Sequence, residues 1–316
     1  MIKTILKSVI PKNTRWQLIQ MNWKLVKKSM EAAGYTVALR KDYYSPLSSA
    51  SDLKATANRW NRPSAFKGVT YDLEKMKSKL KGLISKYYAE CSALPTFEKL
   101  KEDGYGVGFT ELDGLTLYMM VREIKPKRYI EVGSGLSTYY CSLAAAKNAS
   151  EGHPLQITCI EPFPFKKLYT VPGIEIHAKE VQDVDLSLFQ QLEENDIFFI
   201  DSSHMLKIDS DVAFLYLEVL PTLKVGVNVH VHDINFPYNI PHPAESAIFN
   251  EIWPYLWNEA MLLQAFLCYN DKFKIELSTP LLRHFEPQFL KENIPLYQSV
   301  EEIPIMFSSI WLKRYS

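Results

Sequence analysis

The sequence has no surplus of charge of either sign: Lys and Arg total 36, and so do Asp and Glu. A balanced chain has no global field drawing it to nucleic acid or anionic lipid, which leaves a small, locally recognised partner as the expectation. Cysteine is scarce. The four present, Cys91, Cys141, Cys159 and Cys268, form no CxxC pair, and three sit in apolar stretches. They read as reduced core thiols of a cytoplasmic protein rather than as a metal or redox motif. No run approaches the ~20 apolar residues that a membrane span needs. The opening segment "MIKTILKSVIPKNTRW" is no secretory signal, because Lys7 and Pro11 break its apolar stretch and no small-residue cleavage site follows. It reads as a surface helix, with a basic amphipathic helix touching a membrane as the alternative. Internal repeats and low-complexity tracts are absent.

What is present is an ordinary globular composition, 47% hydrophobic and 23% charged, over 316 residues, enough for one large domain with an extension. Residues 1–105 show no strand-turn-helix alternation. Leu73, Met76, Leu80, Leu83 and Tyr87 recur at spacings of 3 and 4, which predicts one face of a packed helix. The segments "KDYYSPLSSASDL" and "NRWNRPSAFKGV" read as loop-rich, with aromatics able to stack on a sugar or ring. From residue 113 the texture changes. A helical stretch that stops at Pro126 is followed by "RYIEV", a helix from Ser137, "QITCIE", "IEIHAK", "DIFFID", a helix from Asp209, "VNVHVHD", a helix from about Trp257, "FKIEL" and "SSIWLKR". Short apolar strands alternating with helices predict an α/β fold: a Rossmann-like, doubly wound, mostly parallel seven-stranded sheet over 106–316, preceded by a helical extension over 1–105. Ligands of such sheets bind beyond the carboxyl ends of the strands.

The polar residues of interest stand at those ends. In "YIEVGSGLSTYY", Glu131 precedes Gly133 and Gly135, and Ser137 is placed to cap the next helix. The glycines allow close backbone approach, the helix start offers free N–H groups, and Glu131 suits a cationic ligand end. The third glycine of the dinucleotide fingerprint is replaced by Thr138, which counts against a nicotinamide oxidoreductase. "FFIDSSH" ends one strand with Asp201 and His204, and "GVNVHVHDINFP" ends another with His230, His232 and Asp233. Adjacent parallel strands lie ~5 Å apart, so Asp201, His204, His232 and Asp233 are expected to converge. His230 lies one step deeper and reads as a hydrogen-bonded core histidine. Asp209 and Asp211 are expected to cap a helix. "INFPYNIPHP" reads as a lid or substrate wall, or as a plain connection, and Glu259 as a helix-dipole partner or a residue near the substrate.

Taken together, "EVGSGLST", a strand ending in Glu161, "DIFFIDSSH" and "HVHDI" resemble the class I S-adenosylmethionine-dependent methyltransferases. The likeness is strongest to a bacterial branch with an acid-xx-His motif after the fourth strand and a His-Asp pair after the fifth. It extends from about residue 113 to 316, and "WNEAMLLQAFL" and "SSIWLKR" share it. The resemblance implies that Glu131, Gly133, Ser134, Gly135 and Ser137 hold the methionine part of S-adenosyl-L-methionine. Glu161 would bond the ribose hydroxyls, Gln182 and Asp183 would sit near adenine, and Asp201 would border the cofactor. At the second cluster two readings compete. In one, Asp201, His204, His232 and Asp233 supply ligands to Mg2+ or another divalent cation, which gathers a substrate hydroxyl. In the other there is no metal, and His204 or His232 acts as general base beside a carboxylate such as Asp201. The histidine before Asp233 departs from the metal-dependent families, which more often show acid-acid or Asp-Asn there. The implied activity is methyl transfer to a hydroxyl, in preference to an amine, of a small-molecule or carbohydrate acceptor, with no nucleic acid and no transmembrane segment. A homo-oligomer stays open. The rival from another class is a cofactor-binding or partner protein on the same fold without catalysis.

Overall fold

The computed structural model describes residues 11–39, 43–45, 47–106, 108–252, 254–297 and 307–316. Most of the opening amphipathic segment, and residues 41, 42 and 46 of "KDYYSP", lie outside them. Two compact units are present, residues 1–60 and 61–316. The first contains helix α1 (Lys12–Ala32), on which Trp16, Ile19 and Leu25 are exposed, and two short helices ending at Trp60. No described helix is long and apolar enough to cross a membrane.

The second unit begins with helix α2 (Leu73–Cys91), whose start is capped by Asp72 accepting from the Lys75 N–H at 3.0 Å. Met76, Leu80 and Leu83 are buried, as their spacing predicts, each worth roughly 1.5–3 kcal/mol of burial. The opposite face is lysine-rich. Helix α2 packs on α3 (Glu111–Ile124), so it belongs with the sheet-bearing unit. Thr110 caps α3, and Lys125 ends it in the left-handed region at φ +50°, just before Pro126.

Seven strands follow: β1 (Arg128–Val132), β2 (Gln156–Ile160), β3 (Ile174–His177), β4 (Ile197–Ile200), β5 (Asn228–Val231), β6 (Phe273–Ser278) and β7 (Ile310–Arg314). Their spatial order is β3-β2-β1-β4-β5-β7-β6, with β1 to β5 parallel and β7 antiparallel to both neighbours. This is the expected doubly wound sheet. Strand β4, Ile197-Phe198-Phe199-Ile200, is buried throughout, because a parallel sheet covered on both faces has no wet side. Helix α4 (Leu136–Ser150) follows β1 and packs on α3. The helix expected from Asp209 to Leu223 spans 211–222 and contains a π-helical turn at Leu215–Val219. Helices α5 (Glu259–Leu267), α6 (Thr279–Phe285) and α7 (Pro287–Asn293) complete the unit. Cys91, Cys141 and Cys159 are buried and Cys268 is half-buried; all four are free thiols.

In-register pairing makes the strands end level: Val132 pairs with Ile160 and Ile200, and Ile200 with Val231. The ladder continues one residue further, with the Gly133 N–H bonding Ile160, Asp201 bonding Val132 and His232 bonding Ile200. The loops after β1, β2, β4 and β5 therefore start on one line.

Candidate active site

The loop after β1 rests on a buried carboxylate. Glu131 is fully buried, and its oxygens accept from Tyr129 Oη at 3.1 Å, Ser137 Oγ at 3.4 Å, Cys159 Sγ at 3.3 Å and Thr138 Oγ1. Burial pushes its pKa up to about 7 against these hydrogen bonds. This corrects the expectation that Glu131 receives a cationic ligand end: side chains of its own neighbourhood occupy it. Ser137 points to the same carboxylate and lies inside α4, so it is not the cap. Gly135 starts the helix, and its N–H donates to Thr138 Oγ1 at 3.1 Å. The threonine standing where the dinucleotide fingerprint has glycine thus ties the loop to Glu131. Gly133 has a different duty. At φ +82°, a Cβ there would lie 1.9 Å from the Asp201 carbonyl oxygen, so only glycine lets the β1 and β4 loops touch.

Beside this contact opens a cavity of about 470 Å3, inside the ~300–1,000 Å3 range of small-ligand sites. Gly133, Glu161, Gln182 and Asp201 line it with apolar Val132 and Ile160. Glu161 at the end of β2 accepts from the N–H groups of Phe163 at 2.8 Å and Ser134 at 3.3 Å, which aims its carboxylate across the β1 loop. Gln182 is anchored by its Nε2 on the Asp209 carbonyl at 3.0 Å. Asp183 is exposed and off the cavity wall, because the 3-10 turn Val181–Asp183 carries it outward; Glu180 and Val181 stand at the wall instead. Ser134, Gly135 and Ser137 are also off the wall.

The ends of β4 and β5 bring ionisable groups together. His204 Nε2 lies 3.4 Å from Asp201 Oδ1 and 3.5 Å from Asp233 Oδ2, and its Nδ1 lies 2.8 Å from Glu259 Oε2. One ligand atom from each of Asp201, His204 and Asp233 falls within 4.8 Å of the others, a donor set able to hold a metal ion. Burial would lower His204, but Asp201, Glu259 and Asp233 more than offset it and push its pKa up to about 10. Burial alone would raise Asp201, yet His232 and His204 hold it below the usual carboxylate range. Asp233 is raised by burial and by the charge of Asp201. Both His204 and Asp233 occupy the left-handed region, at φ +59° and +56°.

His232 departs from expectation. Its Nδ1 faces Asp201 Oδ1 at 3.1 Å, and its Nε2 faces Asp113 Oδ2 at 3.6 Å, an ion pair longer than a hydrogen bond. It lies outside the ligand set, and its pKa is raised because three carboxylates outweigh its burial. With carboxylates facing both of its ring nitrogens, His232 is placed to support Asp201 from behind. His230 is the expected core histidine: fully buried, bonded through Nε2 to Ser309 Oγ at 2.8 Å and stacked on Trp311 at 4.1 Å. Ser210, not Asp209 or Asp211, caps the helix after β4, while Asp211 accepts from the N–H and hydroxyl of Ser203, both at 2.6 Å.

Residues 130–234 match the family model described as a methyltransferase domain. The matched third of the chain is a methyltransferase domain. That span of the methyltransferase domain covers β1 to β5 and ends just past Asp233. An uncharacterized protein of Archaeoglobus fulgidus is 36% identical over 93 residues, 28% of this chain and 40% of that protein's length. Among solved structures, the O-methyltransferase TomG of Streptomyces achromogenes, involved in tomaymycin synthesis and solved with SAM, is 14% identical at a TM-score of 0.42, covering 78% of this chain and 92% of its own. An O-methyltransferase of Bacillus cereus in complex with SAH is 11% identical at a TM-score of 0.40, covering 74% and 91%.

Two histidine partners come from outside the matched span: Glu259, which the sequence offered only as a helix-dipole partner or a residue near the substrate, and Asp113, which it did not mark as a site residue. Glu259, from α5, turns its other oxygen to Tyr216 Oη at 2.9 Å and fixes which nitrogen of His204 faces the carboxylates. Asp113, from α3, is fully buried and binds the N–H groups of Phe307 and Ser308 and the hydroxyls of Thr110 and Ser309 in addition to facing His232. Thr110 three residues before Asp113 gave a local signal for a helix cap, not for a histidine partner.

Proposed function

We propose that the protein transfers a methyl group from S-adenosylmethionine to a hydroxyl of a small molecule or sugar, with a divalent cation held by Asp201, His204 and Asp233. The observation that carries this reading is the position of that triad: Asp201 belongs both to it and to the wall of the 470 Å3 cavity. The cavity fits the cofactor chemically. Glu161 offers a carboxylate to a diol, and Val132, Ile160 and Val181 offer apolar surface to a ring. The donor set fits a hard cation, since two carboxylates and an imidazole suit Mg2+ or Mn2+. Charge points the same way: Asp113, Asp201, Asp233 and Glu259 face only two imidazoles, leaving the cluster rich in negative charge.

Bound there, a divalent cation supplies Lewis acidity that favours the ionised form of an acceptor hydroxyl. The protein's own residues do the rest. Glu259 holds His204 with Nε2 toward the two aspartates, as outer-shell carboxylates do for metal-binding histidines. Asp113 and His232 hold Asp201 from behind. Gly133 brings the cofactor loop against Asp201, so donor and acceptor sites share a wall, and alignment of this kind is worth up to ~7–11 kcal/mol of barrier.

The test is calorimetric titration with S-adenosylhomocysteine, in metal-free buffer and again with manganese. Micromolar binding that weakens in Glu161→Ala, and a separate manganese heat that disappears in Asp233→Ala, are the expected results. Absence of S-adenosylhomocysteine binding would refute the cofactor assignment, and manganese heat unchanged in Asp233→Ala would refute the metal assignment.

A further inference from the structure

Two residues past Asp233 the chain enters a second cavity, of about 370 Å3, walled by Asn235, Tyr238, His242, Arg283, His284 and Lys291 with other residues. Sheet register puts it on the same edge as the candidate active site. Strand β6 runs parallel to β5 with β7 between them, and Val231 and Ser278 both pair with Ile310. Helix α6 therefore leaves β6 level with the end of β5. Along this edge the cofactor cavity lies at β2, β1 and β4, the Asp201–His204–Asp233 triad at β4 and β5, and the second cavity beyond β5.

The walls are rich in donors and poor in acceptors. Arg283 is 7% exposed, and its Nη1 has no hydrogen-bond partner among the described residues; Asn235 is 5% exposed, and the same is true of its Nδ2. An arginine buried this far normally has a carboxylate against it. Among the described residues no Asp or Glu belongs to the wall. Asp113 acts on Arg283 only at a distance, its oxygens being taken by Thr110, Ser309, the backbone of Phe307 and Ser308, and His232. Lys291 is exposed at the cavity and makes no ion pair among the described residues. The ring of His242 stacks face to face on Tyr238, with centroids 3.6 Å apart and planes at 10°. Burial and Arg283 lower the pKa of His242 to about 4, against the nearby Glu245, which leaves Arg283 and Lys291 as the charges.

We propose that this cavity binds an oxyanion group of the methyl acceptor, a carboxylate or a phosphate or sulfate ester, through Arg283, Asn235 and Lys291, so that the acceptors are anionic hydroxyl compounds. The inference rests on the methyltransferase reading above and adds the substrate class to it. A guanidinium fork matches both kinds of oxyanion, and an anion would complete the two buried donors at once. With its charged group held beyond β5, an acceptor has its remaining length directed along the sheet edge toward Asp233, two residues from Asn235.

The test uses the full chain at constant ionic strength, titrated with inorganic phosphate and separately with benzoate, binding being read as a saturable rise in Tm over sodium chloride controls. Benzoate alone raising Tm selects a carboxylate acceptor; phosphate alone selects a phosphate or sulfate ester. In Arg283→Met and in Lys291→Glu, the apparent affinity for the effective anion is expected to fall roughly tenfold or more. Lys291 is exposed, so its variant serves even where loss of Arg283 impairs folding. The proposal is overturned when neither anion gives a saturable effect on the wild-type chain, or when the folded variants bind the anion as tightly as the wild type. S-adenosylhomocysteine titrated into the same proteins reads the other cavity, and its affinity is expected to be unchanged. Anion failure with that affinity intact sinks only the anionic acceptor, whereas failure of S-adenosylhomocysteine on the wild type sinks the methyltransferase reading itself.

Discussion

The carboxylate of Glu259 lies 2.8 Å from His204 Nδ1, although 55 residues separate them. Both are buried, and the backbone N–H of Glu259 also bonds the His204 carbonyl at 3.2 Å. Helix α5 is thereby docked on the loop after β4 at the point where the loop turns through a left-handed residue.

Glu259→Gln keeps a hydrogen-bond acceptor for Nδ1 but removes the charge. Manganese affinity is expected to fall about 10–100-fold, the usual cost of losing an outer-shell partner, with the fold intact. Glu259→Ala also strands Tyr216 Oη, and a further loss of about 3–5 kcal/mol in urea unfolding is expected from breaking a buried charged pair. Manganese calorimetry beside urea melts separates the two effects.

Asp113 carries a second expectation. Its removal in Asp113→Ala would leave the Nε2 side of the buried His232 without its carboxylate and free the N–H groups of Phe307 and Ser308. Destabilisation of about 3–5 kcal/mol follows from that loss. Asp113→Asn should lose less than the alanine variant, because it keeps one acceptor oxygen. Equal stabilities of the two variants in urea would contradict this account of Asp113.

Gly133→Ala tests the contact between the β1 and β4 loops. The substituted Cβ meets the Asp201 carbonyl at 1.9 Å, in a backbone region costly for any side chain. A loss of roughly 3 kcal/mol or more is expected, together with weaker S-adenosylhomocysteine binding. Gly82→Ala, at a helical position with open space around it, is the control and should be neutral or slightly stabilising.

Two carboxylates shape the pH dependence of stability in opposite directions. Glu276 is raised by burial, but Tyr315, Lys75 and Lys79 overcome that and bring its pKa to about 2. Its folded value lies below the unfolded one, so its contribution is fully present above about pH 4.5 and is lost as pH falls through about 2. Glu131, held up to about 7 by burial, binds its proton more tightly in the folded state. Stability from this group therefore declines as pH rises from about 4.5 through 7. Urea unfolding between pH 2 and pH 8 should show the acid loss diminished in Glu276→Gln; an unaltered acid limb would remove Glu276 as its source.

Much of the fold was legible in advance because its signals are local. Leu73, Met76, Leu80 and Leu83 announce their helix by spacing, and "DIFFID" and "VNVHVHD" announce strands by apolar run and length. The site was legible only in part. Asp201, His204 and Asp233 were found because they end strands that neighbour one another, whereas Glu259 and Asp113 arrive from helices far along the chain, and no local pattern marks either as a histidine partner. For His232 the position at the strand end was evident, but the direction of each ring nitrogen depends on which carboxylates the packing sets beside it. Asp183 stands off the cavity wall on a three-residue turn that no periodicity encodes.

By itself, the sequence determined the alternation of strands and helices, and with it a sheet whose carboxyl edge carries Glu161, Asp201, His204 and Asp233. Backbone hydrogen bonding and the burial of apolar faces are periodic, and a period can be read from the order of residues. Only the tertiary structure decided which of those groups are reachable and which are charged. Glu131 is sealed under its loop, His232 is shut between Asp113 and Asp201, and Arg283 is buried with no carboxylate against it among the described residues, because desolvation and Coulomb interaction depend on distances across the fold rather than along the chain.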